Sequence, residues 1–410
     1  MKRIFSLVVV LVFLSSFAAS GEENPARSCS ALKDDYHPGI HRKDVSSEEL
    51  RIFIIDVGQG DAIFLEFQYG ETMLIDAGSH DEYGIPHLKK FLANYFAANE
   101  FKQNVIDFVI ATHPDSDHIS GLKEVIELYD VGWYIDNGQP GSGKKDSYPE
   151  LMKEVNEEDG DGSIDYIAIT ERNESFKERG YFKLDDIANF KECNCFILGS
   201  YRKKGKRYKN DASVVMKVEC GSSSALFMGD AEMKEASSEE KFIRGRKATR
   251  YEENRVYKRL LKMDALDMLS ADLLKAGHHG ANTSSAEIFL GKVMPKVSIV
   301  SCGDHQNSSL TAKYGHPRAA HIARLENHTT DSSDEGQVID AFLPDKRIVS
   351  IELNKRVFLT ATEHELEGNC NPEDSDDQCI EEYGDVFLII REGHIEKVDR
   401  NDPEYQSYFQ

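Results

Sequence analysis

The stretch Thr112-His113-Pro114-Asp115-Ser116-Asp117-His118 carries two histidines and two aspartates within six residues. Imidazole and carboxylate are the ligands that Zn²⁺, Mn²⁺ and Fe ions share. Packing offers no reason for so many polar ligands on one turn, so the pattern points to a metal site and to hydrolysis. Three other apolar runs end in the same residue types. Met73-Leu74-Ile75 ends at Asp76, Leu226-Phe227-Met228-Gly229 at Asp230, and Leu273-Leu274-Lys275-Ala276-Gly277 at His278-His279. A lone His or Asp after a strand is an ordinary turn residue. Four such endings can converge on one edge of a sandwich, where a rigid core meets open loops.

The elements that must position these residues follow from hydrophobic spacing. Ile52–Ile55, Ala62–Phe67 and Thr72–Ile75 are short apolar runs broken by glycine turns, as strands are. Ile85, Leu88, Phe91, Leu92, Tyr95 and Phe96 have helical spacing, and 85–99 reads as an amphipathic helix. Val105–Ala111 is a strand leading into the cluster, and Leu122, Val125, Ile126 and Tyr129 mark a helix just after it. Further strands are expected at 133–136, 196–198, 213–218, 225–228, 273–276, 297–301, 348–353, 357–361 and 386–390. Strands interleaved with helices give an α/β class. Residues 137–192 and 231–268 are polar or charged and read as insertions that line the cleft, and 401–410 as a tail.

Composition bounds the class. The chain has 410 residues, 40% hydrophobic and 30% charged, which is globular rather than disordered. Residues 1–20 have a basic start at Lys2 and Arg3, a short apolar run Ile4–Phe13 and small residues Ala18-Ala19-Ser20. That is the pattern of a secretory signal peptide. Residues 21–48 read as a linker. The expected protein is secreted or periplasmic, without a membrane span after cleavage. Its formal net charge is −23, which repels polyanions and argues against stable nucleic-acid binding without a local basic patch. Arg202-Lys203-Lys204-Gly205-Lys206-Arg207-Tyr208-Lys209 is the strongest such run, with a solvated loop as its plainer reading. Of seven cysteines, Cys370 and Cys379 are the favoured disulfide pair. Cys193-Asn194-Cys195 reads either as a thiolate metal site or, better, as a disulfide partner for Cys220.

Set in order, these motifs resemble a known family. Asp56-Val57-Gly58-Gln59-Gly60-Asp61-Ala62, Leu74-Ile75-Asp76-Ala77-Gly78, Thr112–Gly121, Asn210-Asp211-Ala212-Ser213, Phe227-Met228-Gly229-Asp230, Lys275-Ala276-Gly277-His278-His279-Gly280 and Tyr314-Gly315-His316-Pro317 run through residues 50–395. They resemble the metallo-β-lactamase superfamily, and within it the hydrolase domain of the ComEC/Rec2 DNA-uptake proteins. The resemblance implies an αβ/βα sandwich over residues 49–400, two mixed sheets facing each other with helices outside. It implies two divalent ions, Zn or Mn, and hydrolysis by a hydroxide between them. Asp117, His118 and His278 would hold one ion. Asp230 would bridge to a second, held otherwise by His113 and Asp115. Asp61, Asp76 and Asn210 would orient ligands. His279 and His316 would touch substrate or carry a proton.

Two departures bear on the metals. The broad superfamily has a histidine where this chain has Asp115, and another where it has Asn210-Asp211-Ala212-Ser213. The ComEC-like branch shares both. Trading imidazole for carboxylate and amide hardens one site, so the resemblance implies an uneven pair in which one ion binds weakly. The expected activity is that of a phosphodiesterase or nuclease. A lactone, ester or amide hydrolase of the same superfamily is the alternative, and a non-catalytic metal- or ligand-binding scaffold the third reading. His37, His41, His80, His87, His305, His321, His328, His364 and His394 lie in polar context and read as surface residues, with His305 closest to the expected site edge.

Overall fold

The structure is a computed structural model and describes residues 49–78, 83–99, 104–139, 148–161, 164–187, 193–201, 210–245, 250–303, 308–360 and 384–409. The expected signal peptide and linker, the basic run 202–209, His80, His305, His364 and the pair Cys370 and Cys379 lie outside the described residues.

In chain order the strands are β1 (Glu49–Ile54), β2 (Ile63–Glu66), β3 (Thr72–Ile75), β4 (Val105–Ile110), β5 (Asp130–Asp136), β6 (Asp165–Ala168), β7 (Phe182–Lys183), β8 (Cys193–Gly199), β9 (Val215–Cys220), β10 (Ser223–Phe227), β11 (Leu273–Lys275), β12 (Val297–Val300), β13 (Ser332–Phe342), β14 (Ile348–Lys355), β15 (Val357–Leu359), β16 (Val386–Arg391) and β17 (His394–Lys397). They form an eight-stranded sheet, β17-β16-β1-β2-β3-β4-β5-β6, and a seven-stranded sheet, β15-β12-β11-β10-β9-β8-β7. The hairpin β13-β14 stands apart. Both sheets are mixed: β3 to β6 run parallel while β1, β2 and β16 pair antiparallel, and β10, β11, β12 and β15 run parallel while β7 to β10 alternate.

The strands are apolar on both faces because both faces are covered. Ile52, Ile54, Ile63, Leu65, Met73, Ile75, Phe108 and Ile110 of the first sheet meet Ile197, Met216, Val218, Phe227, Leu273 and Ile299 of the second, and this is the central core. The alternate residues Phe53, Phe64, Leu74 and Val109 point outward and pack under the helix Gly84–Ala98 through Leu88, Phe91, Leu92 and Tyr95. On the far side, Leu226 and Leu274 pack under the helices Glu252–Lys262, Glu287–Val293 and Ala319–His328. The result is helix, sheet, sheet, helix, the sandwich that the motifs implied.

Several expectations shift. The expected tail forms the helix Pro403–Phe409, whose Tyr405, Tyr408 and Phe409 are buried against Phe53, Phe91 and Phe387. The described parts of 137–192 extend the sandwich, with β6 edging the first sheet and β7 the second, while Asn137 donates to the Thr112 and Ala212 carbonyls beside the candidate site. The described parts of 231–268 supply outer helices, although Glu232 does reach the candidate site. His87 and His321 are not surface residues; both are buried. His87 lies on the inner face of its helix and pairs with Asp385 at 2.8 Å, a partner 298 positions away that local context cannot show. His321 hydrogen-bonds the Ala281 carbonyl at 2.7 Å through Nδ1. Cys193 and Cys220, cross-strand neighbours on β8 and β9, form a disulfide, which leaves Cys195 a buried free thiol and removes the thiolate alternative. Among the described residues no helix is long and apolar enough to cross a membrane.

Candidate metal centre

Parallel strands carry their C-terminal ends to one edge of a sheet, and two facing sheets bring two such edges together. Asp76 follows β3, His113 follows β4, Asp230 follows β10, His278 and His279 follow β11, and Ser301 follows β12. The edges are tied across the gap by the Val214 amide donating to the Thr112 carbonyl at 2.9 Å. The His278 amide in turn donates to the Gly229 carbonyl at 3.0 Å. Asp115, Asp117 and His118 sit on the short turn of helix that opens after β4. The backbone is strained where it turns: Asp76, His278 and His279 have φ of 59°, 49° and 50°. Left-handed non-glycine residues cost free energy and gather at functional sites. Gly280 continues the turn at φ 81°, and a Cβ there would stand 2.7 Å from Pro317, so this loop lies directly on the one that carries His316.

Asp230 is the centre of the arrangement. Its Oδ1 lies 3.2 Å from His118 Nε2 and 3.2 Å from His279 Nε2, and those two nitrogens are themselves 3.2 Å apart. Asp117 Oδ2 stands 3.7 Å from the same His279 nitrogen. A tetrahedral metal with bonds of about 2.0–2.1 Å has ligand-to-ligand edges of roughly 3.3 Å. The triangle of Asp230, His118 and His279 has that size. Asp230 Oδ2 faces the other way, 3.8 Å from His113 Nε2 and 3.7 Å from His278 Nε2, with Asp115 Oδ2 3.8 Å from His113 Nε2. This second set is wider.

The outer nitrogens of the four imidazoles fit the same reading. His118 Nδ1 lies 2.7 Å from Asp76 Oδ2, and His279 Nδ1 2.9 Å from the Ser301 carbonyl. His113 Nδ1 is 3.1 Å from Thr112 Oγ1, and His278 Nδ1 3.3 Å from Glu232 Oε1. Carboxylate and carbonyl acceptors fix Nδ1 as the protonated nitrogen and turn the Nε2 lone pair toward Asp230, as in carboxylate–histidine–metal arrangements. His113 Nε2 and Asp230 Oδ1 are buried and have no hydrogen-bond partner. The donor set therefore fits metal ions on an internal observation. Electrostatics agrees: burial alone would raise the Asp230 pKa, but His279, His118 and His278 outweigh it and hold the carboxyl well below the usual range.

The supporting residues are distributed as follows. Asp76 also accepts from the Thr112 amide at 2.8 Å and the Thr112 hydroxyl at 2.7 Å, so it fixes the turn and the imidazole together. Asp61 accepts from the fully buried Lys275 ammonium, and its Oδ1 lies 3.4 Å from His279 Nδ1. Asp61, Asp76 and His118 also cluster, but the Lys275 cation and the committed His118 Nδ1 proton occupy the atoms a metal would need there. Asn210 Nδ2 stands 3.0 Å from His278 Nε2, in the wider set. His316 Nδ1 is 3.2 Å from the Gln59 amide nitrogen, and its ring centroid is 5.6 Å from that of His278 and 6.4 Å from that of His279. Burial and those two histidines push the His316 pKa down to about 2, so its imidazole is neutral.

The sequence reading and the structure part company over the histidine pair. His279, expected beside substrate, is the one that joins Asp117, His118 and Asp230, while His278 faces the set of His113 and Asp115. The reason is the left-handed backbone at both residues, which throws adjacent side chains to opposite sides of Asp230. Lys275, Glu232, Ser301 and Thr112 were not among the expected site residues. Lys275 alone left a signal, a charge inside an apolar strand.

The sequence profile of the Metallo-beta-lactamase superfamily matches residues 55–305. The chain belongs to the metallo-β-lactamase superfamily. Within that superfamily it is ComEC/Rec2-like. It is 27% identical over 294 residues to ComE operon protein 3 of Bacillus subtilis (strain 168), covering 69% of this chain and 31% of that one. It is 23% identical over 268 residues to Recombination protein 2 of Haemophilus influenzae, covering 64% of this chain and 25% of that one. The chain thus matches less than a third of the length of either relative. Among solved structures, it is similar to the metallo-beta-lactamase fold protein YhfI from Bacillus subtilis, at 11% identity and a TM-score of 0.36, over 69% of this chain and 95% of that one.

Proposed function

We propose that this metallo-β-lactamase superfamily protein is an exported metal-dependent phosphodiesterase or nuclease. The observation that carries the reading is Asp230, whose two oxygens face two separate ligand sets. Asp117, His118, His279 and Asp230 would hold one ion; His113, Asp115, His278 and the other Asp230 oxygen would hold the second. Held there, divalent ions would supply Lewis acidity to a phosphoryl oxygen and would lower the pKa of water. The chain's own residues do the positioning. Asp76 and the Ser301 carbonyl lock the His118 and His279 rings, and Lys275 keeps Asp61 ionised beside them. Neutral His316 stands at the rim as a hydrogen-bonding group for substrate rather than as a reservoir of charge. Asp115, where the broad superfamily has a histidine, gives the second set more oxygen character, which suits Mn²⁺ and phosphate chemistry.

Export is supported by the basic-apolar-small pattern of residues 1–20 and by the Cys193–Cys220 disulfide, a bond that persists in oxidising compartments. Purified mature protein loaded with Mn²⁺ or Zn²⁺ is expected to hydrolyse methyl p-nitrophenyl phosphate or an oligonucleotide. Hydrolysis of lactones with neither phosphodiester cleaved would overturn the reading in favour of the ester and lactone chemistries. N-terminal sequencing of the extracellular protein checks export, which fails if the chain stays in the cell with Met1 attached.

A further inference from the structure

Among the described residues a single phenylalanine, tyrosine or tryptophan side chain is exposed, and it lies at the mouth of the metal centre. The helix Ser309–Tyr314 ends at Gly315 in the left-handed region, φ 71°, and a Cβ there would press on the Arg318 guanidinium at 3.3 Å. This turn sends Tyr314 outward, 45% exposed. From Tyr314 a row of rings leads inward. His316 follows at 6.2 Å with its plane 24° away, then His279 at 6.4 Å and 30°, then His118 at 5.1 Å and 36°.

Three cations gather around the same tyrosine, Lys313 and Arg318 from its own segment and Lys346 from a later turn. Lys313 Nζ is 5.3 Å from the ring centroid. The Arg318 guanidinium donates to the Tyr314 carbonyl at 2.8 Å and to the Leu343 carbonyl at 3.1 Å. Lys346 Nζ donates to the Lys313 carbonyl. None of the three pairs with a carboxylate among the described residues, in a chain of net charge −23. Lys313 and Lys346 are exposed, so together they give this rim a positive patch on an otherwise acidic chain, and such a patch attracts anions. An aromatic platform with flanking cations is how sequence-tolerant single-strand binding is built: a base stacks on the ring and phosphates meet the cations.

We propose that Tyr314 stacks a nucleobase at the end of a single strand while Lys313, Lys346 and Arg318 hold the neighbouring phosphates. The next phosphodiester along the strand is thereby placed past His316 at the metal centre. This inference rests on the phosphodiester reading above and narrows it to nucleic-acid ends or short oligonucleotides.

The test is fluorescence anisotropy of a labelled oligothymidine on the full mature protein, with EDTA present to stop cleavage. Tyr314→Ala should weaken binding about ten-fold, the loss of one stacked base, and Tyr314→Phe should restore it. The double change Lys313→Glu with Lys346→Glu should weaken binding further and flatten its salt dependence. A strand of equal charge with an abasic end should bind the native protein as weakly as the intact strand binds Tyr314→Ala. Equal binding of abasic and intact strands, or binding indifferent to Tyr314→Ala, overturns the proposal. Tyr314-dependent binding by a protein that cleaves no phosphodiester supports the platform while overturning the hydrolytic reading. Cleavage of methyl p-nitrophenyl phosphate without Tyr314-dependent binding does the reverse.

Discussion

His278 and His279 are neighbours in the chain, yet they face opposite oxygens of one carboxylate: His279 Nε2 is 3.2 Å from Asp230 Oδ1, and His278 Nε2 is 3.7 Å from Asp230 Oδ2. A regular strand would also send them apart, but to the two faces of a sheet. The paired left-handed conformations instead fold both imidazoles around a single acceptor.

The two histidines should therefore differ in what they hold. His279→Ala is expected to abolish the tighter metal equivalent, because it breaks the compact triangle. His278→Ala should lose only the looser one, and Asp230→Ala both. Metal content by mass spectrometry after gel filtration, with calorimetric titration of the stripped protein, reads the difference. Identical losses from His278→Ala and His279→Ala would contradict the partition.

Asp76 acts on the metal through His118. Asparagine tolerates the left-handed backbone at this position, so Asp76→Asn should fold. It replaces a charged acceptor of the His118 Nδ1 proton with a neutral amide. The expected result is a fall in metal affinity of about 10–100-fold in calorimetric titration, with only a modest fall in the melting temperature of the metal-free protein, since the Thr112 amide keeps a carbonyl acceptor.

The Lys275–Asp61 pair is fully buried, at 0% and 1% side-chain exposure. Lys275→Met leaves the Asp61 carboxylate without its cation and is expected to destabilise the fold by about 3–5 kcal/mol. The double variant Lys275→Met with Asp61→Leu should recover most of that loss in denaturant titrations, since the uncompensated charge is gone. Hydrolytic activity should not recover, because His279 loses its neighbour.

Acid sensitivity should be traceable to His321. Burial, with the nearby Arg324 and His278 charges, outweighs the Ala281 hydrogen bond and pushes its pKa down to about 3 from the ordinary 6.5. The unfolded chain binds this proton first as pH falls. Stability contributed by neutral His321 is thus complete above pH 6.5 and is lost progressively toward pH 3, at up to about 1.4 kcal/mol per pH unit. His321→Asn, whose amide can still donate toward Ala281, should flatten this part of the stability-against-pH curve. An unchanged slope would assign the effect to other groups.

The sandwich and the strand-end acids and histidines were legible because their signals are local. Apolar runs of strand length, each closing on Asp76, His113, Asp230 or His278, need no tertiary knowledge. What escaped the sequence depends on long-range packing. β13 is polar along Ser332-Ser333-Asp334-Glu335 and carries no strand period. The helix Pro403–Phe409 is too short to announce itself until Tyr408 is seen against Phe53. Which of two adjacent histidines faces which oxygen is decided by φ angles that no periodicity encodes. The cations around Tyr314 come from positions 313, 318 and 346, so no charge run marks them.

The first sheet joins the beginning of the fold to its end. β1 lies between β2 and β16, with Ile52 opposite Leu388 in the ladder. A growing chain therefore holds β1 with one edge open until residues near 390 arrive, long after every metal-binding candidate has been made. Completion of the sheet is a late, chain-wide event of high contact order. The first sheet, whose β3 and β4 carry Asp76 and His113 at their ends, would then close only when its last strands are delivered.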